Sequence, residues 1–362
     1  MSDDRSTTDR AGGASTMPGP ATHPGLLRSL AHRLVGDEDV LPVEGHLPSF
    51  DGATGWLNSE PLTPAGLRGR IVAVDFWTYT CINWLRTAPY VRAWDAKYRG
   101  LGLTVVGVHT PEFGFERDLD NVVARSRGFG VEYPIAIDSD YGVWQAFSNH
   151  FWPALYIADA EGRIRYHHFG EGEYAMAEMV IQQLLVEAGA EGVEPDLVSV
   201  EPTGFEVGAD WRTLRTPETY LAYGRSAGFA SPERARLDEA SSYPEPGRLG
   251  LNEWAPIGTW TLAQHAAVAN EAGASISFRF QARDVNLVMG PSTRGSSVPF
   301  RVRLDGQAPG GAHGFDVDAQ GNGTLAEQRL HQLIRQAGPV VERRVEIEFL
   351  GAGAEAYCFT FG

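Results

Sequence analysis

The sequence predicts two domains, an α/β domain built on a mixed sheet and an all-β sandwich of the jelly-roll type after it. The chain has 362 residues, whereas a single hydrophobic core supports a domain of only about 250 to 300 residues. Up to about residue 188, apolar runs of strand length alternate with helical patterns, which is typical of a sheet with helices on both faces. Beyond about residue 217, short β-type runs recur between turn signals, as in sandwiches and jelly rolls.

The α/β domain is predicted over residues 42–188. Its strands are continuous apolar runs, its hairpin is a pair of such runs around a turn, and its helices follow the helical period. The strands are IVAVDFW, LTVVGVHT and YPIAID, the hairpin is ALYIADAEGRIRYHHFG, and the helices are expected over 87–98, 116–128, 141–148 and 174–188.

The remaining segments differ in composition. Residues 1–25 are rich in Ser, Thr, Gly, Pro and Asp, which favours a disordered tail, and leucines at helical spacing predict a short amphipathic helix within 26–41. An acidic stretch punctuated by Pro and Gly predicts a linker at 189–217. The sandwich is predicted over 218–362, with strands at GTWTL, ASISFRFQA, VNLVMG, VPFRVRLDG, RLHQLIRQ, RVEIEFLG and EAYCFTFG.

The charge balance and the lack of long apolar segments restrict the possible partners. Asp and Glu number 46 against 30 Lys and Arg, a formal net charge of -16. So acidic a surface repels phosphate backbones, and nucleic acid is not expected as a partner. The N-terminus has no basic and apolar stretch of a secretory signal, and no segment offers the ~18 consecutive apolar residues of a membrane span. These features predict a cytoplasmic protein without a transmembrane segment.

Two cysteines, Cys81 and Cys358, are too few for a disulfide scaffold or a four-thiolate zinc module. His167 and His168 are adjacent in a predicted strand, so they point to opposite faces and are not expected to chelate one metal. We therefore predict neither a metal nor a cofactor. Cys358 alternates with aromatic residues on the last strand and is expected to be a buried, small hydrophobic side chain.

Cys81 follows the strand that ends at Trp77 and precedes a predicted helix. A thiol at that place faces unpaired backbone amides and the positive end of the helix dipole, which favour the thiolate. Position therefore predicts a reactive cysteine. The alternative, a buried and inert cysteine, stays open at this point because free cysteines are among the most buried residue types.

The segment around Cys81, DFWTYTCINWLRTAP, resembles the active-site segment of thioredoxin-fold proteins. The likeness is to the membrane-linked DipZ group of thiol-disulfide oxidoreductases, which is related to the cytochrome c biogenesis redoxins (the TlpA-ResA-like group). Further motifs extend the resemblance over 42–362: GVHTPEF, YPIAIDSDY, FWPALYI and FGEGEY, then TPETY and the terminal FTFG. The resemblance implies a thioredoxin fold and, after it, a carbohydrate-binding-like β-sandwich.

Residue by residue, the resemblance places Cys81 at the nucleophilic cysteine of a CxxC pair. The position of the second cysteine is Trp84, so CINC has become CINW. The resemblance implies a thiol oxidoreductase acting on disulfides or glutathione adducts of proteins or small molecules, with an external thiol to resolve the mixed disulfide. Asp75 matches a buried carboxylate beneath the site, and burial is expected to raise its pKa towards neutrality. The alternative is an Asp that only satisfies strand-end amides.

Other positions complete the predicted site. Pro153 matches the proline that is cis in thioredoxin folds, which would turn the backbone of Trp152 towards an extended substrate. Substrate contacts are predicted for Trp152, Thr80 and Trp84, with burial in the core as the alternative for Trp84. One further hypothesis is a one-cysteine peroxidase, because Thr78 and Cys81 form the TxxC of peroxidatic enzymes.

A last hypothesis is a catalytically silent binding or scaffold protein with a glycan-binding sandwich. Aromatic side chains can stack on sugar rings, and several of them follow residue 210. We expect most of these to fill the sandwich core or the seam between the domains. They are Trp211, Tyr220, Tyr223, Tyr243, Trp254 and Trp260.

Overall fold

The computed structural model describes residues 41–362, which belong to one compact unit. The tail predicted at 1–25 and nearly all of the helix predicted at 26–41 lie outside the described residues. Each predicted domain contributes one sheet. None of the helices within the described range has the length and apolar character needed to cross a membrane.

The first sheet has seven strands. They are β1 (Gly45–His46), β2 (Gly55–Leu57), β3 (Ile71–Trp77), β4 (Leu103–His109), β5 (Ile135–Ile137), β6 (Ala154–Ala158) and β7 (Arg163–Phe169), and their order is β1-β7-β6-β3-β4-β5-β2. Strands β3, β4 and β5 are parallel, and the other neighbours pair antiparallel. Every residue of β3 is buried, as expected for a central strand covered on both faces. The predicted mixed sheet is confirmed.

Four helices accompany this sheet: α1 (Ile82–Tyr98), α2 (Leu119–Gly128), α3 (Gly142–Ala146) and α4 (Tyr174–Glu187). Helix α1 begins at residue 82 and not at 87 as predicted, so it starts directly after Cys81. The helix predicted at 116–128 is divided into a 3-10 turn (Gly114–Arg117) and α2. The division falls at Asp118, whose carboxylate accepts the amide of Asp120 (2.9 Å) and caps α2.

The second sheet has eleven strands. They are β8 (Thr219–Tyr220), β9 (Ser241–Tyr243), β10 (Trp254–Leu262), β11 (Ala267–Ala269), β12 (Ser275–Phe280), β13 (Asp284–Pro291), β14 (Val298–Leu304), β15 (Asn322–Leu325), β16 (Arg329–Arg335), β17 (Arg343–Phe349) and β18 (Ala354–Phe361). All seven predicted β-runs lie on these strands. The segment between α4 and β8 covers the predicted linker. Its regular structure in the described part of the chain is one 3-10 turn (Gly204–Glu206).

Strand β10 joins the two halves of the second sheet. Its first part pairs with β12, and its second part, from Gly258 onwards, pairs with β9 and β11. Gly258 has a φ of 87°, a left-handed conformation that glycine adopts without steric cost. The halves enclose a shared core, in which the rings of Phe278 and Phe359 lie 5.0 Å apart. The all-β architecture is confirmed, and the jelly-roll topology stays a prediction.

Most of the aromatic residues considered for sugar binding are buried. Trp254 and Trp260 are fully buried in the core of the second domain, and Tyr243 is 2% exposed. Tyr220 is also buried, but it faces the first domain. Trp211 remains exposed at 42%. Burial of four of the six residues agrees with the expectation that they fill the core or the seam.

The outer face of the second sheet packs against the first domain at the start of α1. Val288 and Cys358, which are neighbours on β13 and β18, belong to the same hydrophobic cluster as Trp84. Arg86 of α1 reinforces this seam, because it donates to the carbonyl of Phe361 at 3.3 Å. The fold therefore brings the second domain over the segment that contains Cys81.

Candidate active site

Cys81 is the residue that ends the β3-α1 turn and caps α1. Its amide donates to the carbonyl of Thr78 (3.3 Å), and its own carbonyl accepts the amide of Leu85 (3.0 Å) as the first bond of the helix. The side chain is half-buried and forms no disulfide. The sulfur is therefore held at the helix N-terminus, on a residue that is partly exposed, as its sequence position predicts.

The loop at Pro153 lies against the sulfur. The peptide bond between Trp152 and Pro153 is cis, which confirms the prediction for this bond. The Cys81 thiol donates to the carbonyl of Trp152 at a distance of 3.7 Å. The indole of Trp152 donates to the carbonyl of Thr110 (3.1 Å) and lies 4.2 Å from the ring of Trp144, so this loop is anchored beside the sulfur.

The electrostatic environment contradicts the expected thiolate. Burial, followed by the carboxylates of Glu112 and Glu218, raises the pKa of the Cys81 thiol well above its usual value. Backbone amides at the start of α1 act in the opposite direction, but their effect is smaller. The prediction of a lowered pKa is therefore wrong, because sequence position revealed the helix terminus and not the acidic groups opposite it.

The acidic groups form a hydrogen-bonded cluster across the seam, which we call the acidic roof: Glu112, Glu218, Tyr220 and Arg225. The Tyr220 hydroxyl bonds to the Glu112 carboxylate and lies 3.0 Å from that of Glu218. Arg225 pairs with Glu112 (2.9 Å) and lies over the Tyr220 ring, 3.5 Å from its centre. One arginine thus faces two carboxylates, and the roof carries a net negative charge beside the thiol.

Glu218 is the roof carboxylate without a salt bridge to an arginine in the described residues. The residue is exposed, yet the surrounding protein atoms desolvate its carboxylate. This burial and the neighbouring Glu112 raise the pKa of Glu218. Glu218 can therefore exchange a proton near neutral pH.

Trp84 contradicts the predicted substrate contact. The indole is fully buried, donates to the carboxylate of Asp75 at 2.9 Å, and stacks on Trp77 with ring centres 4.3 Å apart. It therefore offers no face to a ligand. The alternative that the sequence left open, a core tryptophan, is the correct one, with the addition that its N–H binds Asp75.

Asp75 lies at 0% exposure beneath the site. Burial raises its pKa to about 7, and the hydrogen bond from Trp84 only partly offsets that rise. Its second oxygen has no hydrogen-bond partner within the described residues. The predicted raised pKa is confirmed, but no hydrogen bond joins Asp75 to Cys81 in the described part of the chain.

Thr80 and Thr78 both face inwards. The Thr80 hydroxyl donates to the buried carboxyl of Glu116 at 2.6 Å, and Glu116 also accepts the amides of Glu112 (2.7 Å) and Phe113 (2.9 Å). Thr80 is 1% exposed, so the predicted substrate contact is wrong, and its role is to anchor the loop that carries Glu112. Thr78 is fully buried, so its hydroxyl cannot meet a peroxide that arrives from solvent.

Comparison with known proteins gives relatives for both domains. Residues 216–362 match the family model of the thioredoxin like C-terminal domain. DipZ of Mycobacterium bovis and of Mycobacterium tuberculosis is 37% identical over 251 residues, which are 68% of this chain and 35% of DipZ. The thiol-disulfide oxidoreductase YkuV of Bacillus subtilis is 28% identical over 141 residues, 39% of this chain and 95% of YkuV.

These matches agree with the motifs around Cys81. The chain contains a thioredoxin-like domain, and its relatives belong to the redoxin group. It covers about a third of the length of the DipZ proteins it matches. A solution structure of a thioredoxin-like protein in the oxidized form is 29% identical, covering 40% of this chain and 97% of its own, with a TM-score of 0.38.

The residues that sequence reasoning missed come mainly from the second domain. Glu218 and Tyr220 lie in the TPETY motif, which was assigned to the sandwich alone, and Arg225 follows it. Glu112 belongs to the first domain and lies in GVHTPEF. A signal was present, because both segments are motifs of the resemblance, but the sequence does not show that they meet at Cys81.

Proposed function

We propose that this protein is a thiol-disulfide oxidoreductase that uses Cys81 as its single nucleophile. The observation that carries the proposal is the half-buried Cys81 at the start of α1, whose sulfur lies 3.7 Å from the carbonyl of Trp152. Cys81 and Trp152 are both partly exposed, so a substrate disulfide can approach this edge of the site and an extended chain can pair with the backbone of Trp152. Relatives named thiol-disulfide oxidoreductase, YkuV and ResA, support the same activity.

The proposed exchange takes two steps. The Cys81 thiol first loses its proton, for which Glu218 is the acceptor, and the sulfur then attacks one sulfur of the substrate disulfide. A mixed disulfide forms as the S–S bond of the substrate breaks, and the second substrate sulfur leaves as a thiolate that takes up the proton from Glu218. An external thiolate attacks the mixed disulfide next, because Trp84 stands where a local resolving cysteine would be. This step regenerates Cys81 and releases the substrate half as a new disulfide with the external thiol.

The raised pKa of Cys81 makes this a thiol that is protonated at rest. Attack is then fast only where a base removes the proton or where a cationic substrate offsets the roof carboxylates. We propose low-molecular-weight disulfides and exposed protein disulfides as substrates.

The decisive experiment is adduct formation with cystamine, a small cationic disulfide. We expect a mixed disulfide at Cys81 in the intact mass, and its release by added 2-mercaptoethanol. The Cys81→Ser variant must form none, whereas Cys358→Ser must behave as the parent. Absence of an adduct on the parent at both pH 7 and pH 9 would contradict the proposal.

A second candidate function is favoured by the same raised pKa: a binding or scaffold protein that retains the fold without turnover. Its test is the pH dependence of Cys81 alkylation together with the cystamine experiment. A scaffold would leave the thiol unreactive towards cystamine at every pH. The one-cysteine peroxidase hypothesis is weakened, because Thr78 is buried.

A further inference from the structure

A cavity of about 260 Å³ lies in the seam between the two domains, on a part of the molecule that the thiol chemistry does not use. Its wall includes Tyr79 of the active-site loop, Phe129 after α2, and Phe205 of the segment that joins the domains. The second domain closes it with Phe315 and Arg329. This volume lies just below the roughly 300 to 1,000 Å³ of most ligand pockets, which suits a small ligand.

Aromatic rings form the apolar part of the cavity. Phe315 is 74% exposed at its mouth and meets Phe205 edge-on, with ring centres 6.1 Å apart. Phe129 meets Trp84 edge-on at 5.7 Å, so the inner wall is fixed by the core. A flat apolar ligand would stack on these rings and remove the exposed face of Phe315 from water.

Two arginines supply the polar part of the cavity, and they are not equivalent. Arg329 already has partners within the wall, because it pairs with Asp316 (2.6 Å) and donates to the carbonyl of Leu330 (2.8 Å). Asp316 also lines the cavity, and both of its oxygens have partners, because the second one accepts a hydrogen bond from the amide of Gln332 (2.8 Å). The charge of Asp316 is therefore satisfied within the wall and does not oppose an anion strongly.

Arg125 is the arginine that can receive a ligand. Its side chain is 25% exposed, and its partner Glu327 is 66% exposed, so the pair is largely screened by water and contributes little. Burial, followed by the nearby Arg329, lowers the pKa of Arg125. An anion placed in the cavity would relieve both effects, and a carboxylate matches the planar donor fork of a guanidinium.

We propose that this cavity binds a small aromatic carboxylate, with its ring against Phe315 and Phe205 and its carboxylate on Arg125. The site is independent of the chemistry proposed for Cys81. It shares a wall with the active-site loop through Tyr79, which precedes the thiol by two residues.

The test uses 3-phenylpropionate as the probe and 3-phenylpropanol as its uncharged match, titrated into the full chain by isothermal calorimetry or ligand-observed NMR. We expect saturable binding of the acid with a Kd of about 5 mM or tighter, as for small fragments, and at least tenfold weaker binding of the alcohol. Arg125→Gln is expected to weaken binding of the acid at least tenfold. Arg127→Gln, an exposed position on the same helix, is the matched control and should not change it.

Phe315→Ala is a second variant, and it should keep the fold because the ring is largely exposed. It should also weaken binding of 3-phenylpropionate. Failure of the parent to bind 3-phenylpropionate would overturn the proposal. Equal binding of acid and alcohol would also overturn it, as would binding unchanged in both Arg125→Gln and Phe315→Ala. A melting temperature within about 2 °C of the parent establishes that each variant is folded.

Discussion

The indole nitrogen of Trp84 donates a hydrogen bond of 2.9 Å to the buried carboxylate of Asp75. Trp84 occupies the position at which a CxxC protein has its second cysteine, so the substitution removes the resolving thiol and gives Asp75 a new partner. A buried carboxylate without a partner is costly, and the indole N–H offsets part of that cost. The two residues are therefore best regarded as one structural unit.

Removing the donor should destabilise the fold. We expect Trp84→Phe to lower the free energy of unfolding by about 2 to 4 kcal/mol, because it leaves the Asp75 carboxylate unpaired and removes part of a packed ring. The measurement is urea denaturation at pH 7. The matched control is the double variant with Asp75→Asn, in which the loss should be smaller by ~1 kcal/mol or more. Strictly additive losses would show that the bond contributes nothing.

Asp75 also makes stability depend on pH. Its pKa is raised from 3.8 to about 7 in the folded protein, so the native state binds the proton more tightly than the unfolded chain. Its contribution to the free energy of unfolding is therefore fully present below about pH 4. As the pH rises to about 7 this contribution is lost, which lowers the free energy of unfolding by at most roughly 4 kcal/mol. Asp75→Asn should remove this slope, measured as the difference from the parent across pH 5 to 8. An identical slope in both proteins would refute the assignment.

The rate of Cys81 alkylation by iodoacetamide should rise with pH and reach its midpoint above pH 9, since burial and the roof carboxylates raise the thiol pKa. Glu112→Gln and Glu218→Gln should each lower the midpoint, because each removes a negative charge near the sulfur. Glu132→Gln, an exposed position in the same domain, serves as the control. The expectation fails if the parent has a midpoint below 8.5.

The acidic roof should select reagents by charge. We expect a cationic methanethiosulfonate (aminoethyl) to modify Cys81 about five- to tenfold faster than the anionic sulfonatoethyl reagent, after correction for their rates with a free thiol. Glu218→Gln should reduce this ratio, and so should high salt, because screening weakens the field of the carboxylates. The experiment measures the electrostatic effect of the acidic roof on Cys81 and not turnover, so it remains informative if the cystamine reaction fails.

Restoring the second cysteine should restore a dithiol cycle. Trp84→Cys places a thiol one helical turn from Cys81, and we expect it to reduce insulin disulfides with dithiothreitol while the parent remains slow. The loss of a buried ring will cost about 3 to 5 kcal/mol of stability, so thermal denaturation must accompany the assay. Trp84→Ser carries the same cavity without the thiol and should stay inactive. Equal activity of the two variants would argue against the proposed geometry.

Local patterns were sufficient to predict much of the site. The continuous apolar run IVAVDFW predicted the central strand, and the position of Cys81 after it predicted a thiol at the start of a helix. The cis bond before Pro153 and the raised pKa of Asp75 were predicted from the resemblance and from burial, and the structure confirms both. The strand and the placement of Cys81 depend on short segments whose conformation neighbouring residues determine, whereas the cis bond and the pKa of Asp75 depended on the resemblance to a known fold.

The charge state of the thiol and the contacts of Trp84 and Thr80 were decided by tertiary structure alone. Glu112 and Glu218 are 106 positions apart by number. The fold of the first domain brings Glu112 near Cys81, and the packing of the second domain on the first adds Glu218. Electrostatic effects depend on distance and burial, which no local pattern encodes. The sequence by itself determined where the sulfur stands on the chain, whereas the fold decided what faces it, because a carboxylate acts through space and not along the backbone.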